Sequence, residues 1–209
     1  VVSYGLDANH PILLNMGRAF QAELAYRQGR IAEASSWAEQ FVAKPFIIMH
    51  RFYVPQLTLA RVLLAQNTAD SREKAADLLK QLYDFVTFSH NRRFQIDVLA
   101  LQALFYDFQG EEQDVLKSLT NALQIAEPAG FIRPFVDLGS TMADLLKRLH
   151  RKRVARDYIE KILAAFEQED EQGVLSDAAD QTTASVRQPQ RPSPPSQPLV
   201  EPLTNRELD

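Results

Sequence analysis

Apolar residues return every three or four positions over most of the chain, as in Leu99, Ala103 and Tyr106, or Met142, Leu145, Leu146 and Leu149. That spacing lays one stripe along a helix of 3.6 residues per turn, and the period-two alternation of a half-buried strand is nowhere sustained. Ala, Leu, Gln, Glu and Arg, which lose little rotamer freedom in a helix, dominate. Stop signals punctuate the pattern. Gly29 and Gly110 each close an apolar-periodic run and suit the left-handed position after a helix, where a Cβ is costly. Pro45 and Pro128 end later runs. Thr141, three residues before Asp144, has capping-box spacing and predicts a helix start near residue 141. The pattern predicts helices near 11–28, 31–43, 53–66, 71–87, 93–109, 112–126, 140–150 and 154–169. The fold class is all-α.

A repeat emerges when the two glycines are aligned. Ala22, Ala25, Tyr26 and Gly29 are followed by Ile31 and Ala34; Ala103, Tyr106 and Gly110 are followed by Val115, Leu119 and Ala122. A looser middle copy carries Ala60, Leu63, Gln66, Ala76 and Leu79, and the small residues Ala22, Ala60 and Ala103 lie 38 and 43 residues apart. The series resembles tetratricopeptide repeats with lengthened turns. A small residue on each first helix lets the second helix approach, with Ala34 or Ala76 reciprocating, and each hairpin leaves a flank that only a neighbour can cover. The reading is an antiparallel helix-pair solenoid; a generic helical bundle is the competing one. A fourth pair over 140–169 lacks the signature and would cap the stack. The aromatic turn before it, Gly130 to Gly139, should pack Phe131 and Phe135 under the last helices, with Arg133 as a local tether.

Aromatic residues and prolines set the boundary. All nineteen Phe, Tyr and Trp lie at or before Phe166, and six of the eleven prolines fall from Pro189 to Pro202. Such a segment cannot bury enough apolar surface to offset about 1–2 kcal/mol of backbone entropy per residue. The domains expected are therefore a repeat domain over 1–170, a disordered Pro-rich linker over 171–201, and a new helix beginning in 202–209, where Thr204 and Glu207 form a second capping box. Zero cysteines exclude disulfides, thiolate metal sites and a cysteine nucleophile. Net charge is −4, which does not favour nucleic-acid binding by bulk electrostatics. No apolar run spans a bilayer and no secretory signal opens the chain, so a cytoplasmic setting without membrane association is expected. With no initiator Met, the chain reads as a piece of something longer.

The terminal string Leu203-Thr204-Asn205-Arg206-Glu207-Leu208 resembles the opening of a LuxR-type helix-turn-helix domain, and the turn Gly130-Phe131-Ile132-Arg133-Pro134-Phe135-Val136-Asp137-Leu138-Gly139 resembles the one closing the repeat region of MalT-like regulators. Repeats, turn, capping pair, linker and terminal string follow that family's order. The resemblance implies the effector-sensing part of a large ATP-dependent transcriptional regulator, with self-association in the full-length protein. ATP is expected only on an upstream module, since no Gly-x-x-x-x-Gly-Lys-Ser/Thr loop is present. DNA contact is expected only through the C-terminal reader, whose recognition helix is absent here. No cofactor is expected in the fragment. A general tetratricopeptide-type interaction scaffold, unconnected with transcription, is the alternative.

No catalytic or metal constellation is expected. His10, His50, His90 and His150 are forty or more residues apart, and Ser89-His90 lacks a third orienting group. The run from Lys147 to Arg156 holds six cations and no acid; it reads either as a docking patch or as a solvated helix end, and the acidic stretch Glu167 to Glu171 as a solvated end. First helices of such solenoids line the concave face. The glycine register puts Glu23, Tyr26 and Arg27 there from the first copy, Arg61 from the second, and Asp97 and Asp107 from the third. Polar groups beside Tyr26 and Phe108 suit a small sugar-like or peptide-like inducer, or a protein partner.

Overall fold

A computed structural model describes residues 11–43 and 54–168 of the chain. They belong to a unit of residues 1–169; a second unit, 170–209, lies outside the described residues, as do Pro45, the expected linker and the Thr204–Glu207 pair. The helices are α1 (Pro11–Arg27), α2 (Ile31–Gln40), α3 (Pro55–Gln66), α4 (Ala69–Phe88), α5 (Arg92–Gln109), α6 (Glu112–Ala126), the single turn α7 (Arg133–Val136) and α8 (Gly139–Arg151), with a 3₁₀ turn at Glu127–Ala129. A last helix, α9, occupies residues 156–168. Among the described residues there is no strand, and no helix is long and apolar enough to cross a membrane.

Turn chemistry explains where the hairpins reverse. Gly29 and Gly110 take φ of 73° and 76°. At Gly29 the amide donates to Tyr26 and the next amide to Ala25; at Gly110 the same two bonds reach Asp107 and Tyr106. This paired closure satisfies carbonyls that the helix end would otherwise leave open. The middle copy uses Asn67 at the corresponding position, with φ of 48°. Alanine precedes the left-handed residue by seven in all three copies, at Ala22, Ala60 and Ala103. His90 (φ 52°) closes α4 in the same way, its amide bonded to Thr87 and that of Asn91 to Val86.

Helix starts differ more from expectation. Thr68 and Ser71 cap α4 reciprocally, so the helix begins at Ala69 rather than near 71. Asn91 accepts from the Phe94 amide and caps α5. The expected Thr141 cap is not made: α8 starts at Gly139, whose φ of 73° turns the chain two residues sooner, and no side chain caps it.

Packing follows the small residues. Ala60 and Ala103 are fully buried and Ala22 nearly so. First helices lie side by side, α1 on α3, α3 on α5 and α5 on α7. Each second helix packs on its own partner, and α2 and α4 pack also on the following first helix. The first helices therefore form the inner row of a helix-pair solenoid. Ala34 is fully buried; in the second hairpin Ala75 takes that place, and Ala76, one step around the helix, is only partly buried. The last helices join the same core through Met142, Leu146, Leu149, Ile159 and Ile162. Phe135 is fully buried and Phe131 packs against the core. The Tyr158 hydroxyl donates to the Phe131 carbonyl at 2.9 Å, and burial, with Glu127 nearby, pushes its pKa up to about 12.

A Cβ at Gly110 would meet nothing within 4 Å, so replacing this glycine costs backbone strain and no clash. Gly110→Ala is expected to lower stability by about 1–2 kcal/mol in urea denaturation, with an unchanged m-value.

Candidate binding site

Four successive elements of the inner row each present two polar side chains three or four residues apart, a spacing that puts both on one helix face. They are Glu23 and Arg27 on α1, Thr58 and Arg61 on α3, Arg93 and Asp97 on α5, and Arg133 and Asp137 at α7. Because the row is tight, the pairs meet. Glu23 accepts from Arg27 Nε at 2.9 Å, from Arg61 Nη1 at 2.6 Å and from Thr58 Oγ1 at 2.8 Å. Arg27 Nη2 donates to Asp137 Oδ2 at 3.0 Å, across 110 residues of sequence. Arg93 donates to Asp97 and stacks over Phe131, 5.5 Å from the ring centroid. Arg133 Nη2 lies 2.6 Å from Asp137 Oδ1, an ion pair whose alignment is not that of a hydrogen bond.

A cavity of about 280 Å³ opens among these groups. Its polar wall is Glu23, Arg27, Arg61, Arg93, Asp97 and Asp137, and its apolar wall is Phe20, Val54, Leu57 and Phe94. Three guanidiniums face three carboxylates. Burial raises the Asp97 pKa above the ordinary carboxylate range, against the pull of Arg93 and Arg61. Burial opposes the charge on Arg27, but hydrogen bonds to Asp137 and Glu23 outweigh it and hold the guanidinium protonated.

Of the residues expected on the concave face, Glu23, Arg27, Arg61 and Asp97 surround this one cavity. Tyr26 packs instead on the small cluster of Ala25, Ala34 and Val62, and burial raises its pKa. Asp107 is not part of the group: it accepts from Arg148 of α8. Phe108, expected beside the same ligand as Tyr26, faces a separate groove with Arg72 and Glu73. Arg93 and Asp137 escaped the sequence reading. Arg93 was signalled by its i,i+4 spacing from Asp97, whereas Asp137 lies beyond the repeats and no register points to it.

The basic run is largely neutralised. Lys147 pairs with Asp144 at 3.5 Å, Lys152 with Glu112 at 3.0 Å and Arg156 with Glu160 at 3.4 Å, while Arg148 binds Asp107. His150 Nε2 lies 2.9 Å from Glu160. The bonds from Lys152 and His150 hold the carboxyls of Glu112 and Glu160 below their usual range. These contacts tie α8 to the start of α6 and to α9, which favours the helix-end reading of the run over a docking patch. Among the described residues no group of three or more His, Cys, Asp or Glu is disposed to hold a metal ion.

Antiparallel helix pairs with an inner row of first helices define a tetratricopeptide-like helical repeat protein. The family described as MalT-like TPR region matches residues 9–152, more than half of the chain, and the chain belongs to that family. No curated protein and no solved structure shows significant similarity to it.

The Asp97 environment has a titration consequence. Its folded pKa lies above the unfolded value, so the folded state binds its proton more tightly, and stability falls as pH rises from the unfolded pKa through the folded one. Asp97→Asn is expected to flatten that slope in urea titrations run between about pH 4 and 7; an unchanged slope would mean that Asp97 is not the group responsible.

Proposed function

We propose that this region is the effector sensor of a LuxR-type, MalT-like transcriptional regulator, and that it works by binding rather than by catalysis. The observation that carries the reading is the convergence of Glu23, Arg27, Arg61 and Asp97, drawn from three repeat copies, on one cavity in the inner row. Small-molecule pockets run from about 300 to 1,000 Å³. At about 280 Å³ this one suits a compact sugar-like or peptide-like molecule.

A ligand here touches α1, α3, α5 and the residue after α7 at once. It therefore acts on the angles between successive hairpins rather than on any one of them. In the full-length protein that change governs self-association, with ATP on an upstream nucleotide-binding module and DNA read by the C-terminal domain. The family membership supports the repeat region; the sensing role rests on the cavity.

The reading is tested by titrating the 209-residue chain with small sugars and short peptides in a calorimeter, beside Arg27→Ala and Arg61→Ala. A ligand of this site should bind each variant at least about tenfold more weakly, a loss of about 1.4 kcal/mol. Binding that survives both substitutions removes this face from the function. A chain that answers only to protein partners is a general scaffold.

A further inference from the structure

The hydrogen-bond inventory of the cavity is lopsided. A guanidinium carries five N–H donors. The bonds within the cluster use two on Arg27, one on Arg61 and one on Arg93. The carboxylates are better occupied: Glu23 accepts three bonds, and Asp137 is held between Arg27 and Arg133. Arg61 shows the imbalance most sharply. Its side chain is only 10% exposed, and its Nε is buried without a partner. Asp137 Oδ1, 2.6 Å from Arg133 Nη2, is itself a buried acceptor outside hydrogen-bond alignment. The unused donors of the three guanidiniums still outnumber the unused acceptor sites of the three carboxylates.

The contacts also differ in how readily they exchange. Arg61 and Glu23 are both about nine-tenths buried, so their bond is part of the packed wall. Arg27 is 41% exposed and Asp137 19%, so solvent and solutes reach this pair. Asp137 is also the one cavity carboxylate that does not sit on a repeat helix, and it keeps Arg133 as a counter-ion when it leaves Arg27. Its departure therefore strands no bare charge, which is the condition under which exchange of a partly buried ion pair is cheap.

We propose that the cavity takes a small ligand bearing one carboxylate or phosphate group, which replaces Asp137 on Arg27 and thereby releases the turn of residues 130–139 from the first hairpin. This rests on the cavity being the effector site. Asp137 is in effect an internal competitor: it occupies Arg27 in the empty protein and fastens the segment before α8 to α1. A charged ligand gains a guanidinium fork suited to planar or tetrahedral oxyanions, and the longest-range ionic tie among the described residues is lost in the same event. Ligand occupancy and the freedom of the turn are thus coupled, and by linkage each must change the other by the same factor.

The test uses matched probes on the 209-residue chain: N-acetylglycine against its uncharged amide, and glycerol phosphate against glycerol, by calorimetry and by hydrogen exchange of residues 130–151. Circular dichroism establishes that each variant is folded. Each acid that fits should bind at least about tenfold more tightly than its neutral counterpart. The stronger of the two identifies the headgroup. Binding should speed exchange in 130–139, Arg27→Gln should abolish the preference for charge, and Asp137→Asn should tighten acid binding severalfold because the competitor is gone. Equal binding of acid and neutral probes, or an Asp137→Asn variant that binds acids no better, overturns the proposal. If a neutral probe binds and loses affinity in Arg27→Gln, the effector cavity stands while its charge selection falls. If no probe at millimolar concentration shows binding sensitive to Arg27→Gln, both fall.

Discussion

The close packing of the helix pairs depends on alanine at one position in each copy and a left-handed residue seven positions later. Ala22, Ala60 and Ala103 put almost no side chain between neighbouring helices, and Gly29, Asn67 and Gly110 reverse the chain at the same distance beyond them. The first feature sets how near the helices can lie, and the second sets which side of the hairpin the next helix joins. Larger side chains at the alanines would force off-rotamer neighbours or backbone shifts, typically at about 1–3 kcal/mol. Without this spacing α1, α3 and α5 would not share a row, and the polar pairs they carry would each face water alone.

Once the row exists, its electrostatics follow from burial. Asp97 is the most buried of the three cavity carboxylates, and Glu23, nearly as buried, is the most heavily bonded, with three donors from two helices meeting it. A buried carboxylate without such partners would be strongly destabilising, so the cluster is better understood as fixing the relative register of α1 and α3 than as a net source of stability. The pairs around α8 are of another kind. Arg148, Lys147 and Lys152 remain between 38% and 60% exposed, and contacts of that sort are worth little individually in salt. They orient the terminal helices, whose attachment comes from Phe135, Met142, Leu146 and Ile159 in the core.

The same contrast separates the two readings of charge along this chain. A run of cations between Lys147 and Arg156 stands out in sequence, yet its partners are carboxylates on α5, α6, α8 and α9. The charges that share a cavity, at Glu23, Arg27, Arg61, Arg93, Asp97 and Asp137, are spread along the chain, and no long run of charge marks them. Their common property is the face of the helix they occupy.

Helix content, most helix ends and the repeat were legible because they rest on interactions within a few residues: apolar period, glycine at a left-handed end, proline after a run. Legibility faltered where a residue had more than one local option. Asn67 and His90 take the left-handed role without being glycine, and Thr141 has a capping sequence that the turn at Gly139 pre-empts. Four of the expected face residues share the cavity because the register carried helix phase from copy to copy. Tyr26 and Asp107 share a register position that points along the edge of the row, where Tyr26 meets the next hairpin and Asp107 meets α8. The Asp137 contact was settled only by the tertiary stack. Whether a side chain 110 residues away reaches Arg27 depends on the accumulated angles between three hairpins, and no spacing within one helix encodes that sum.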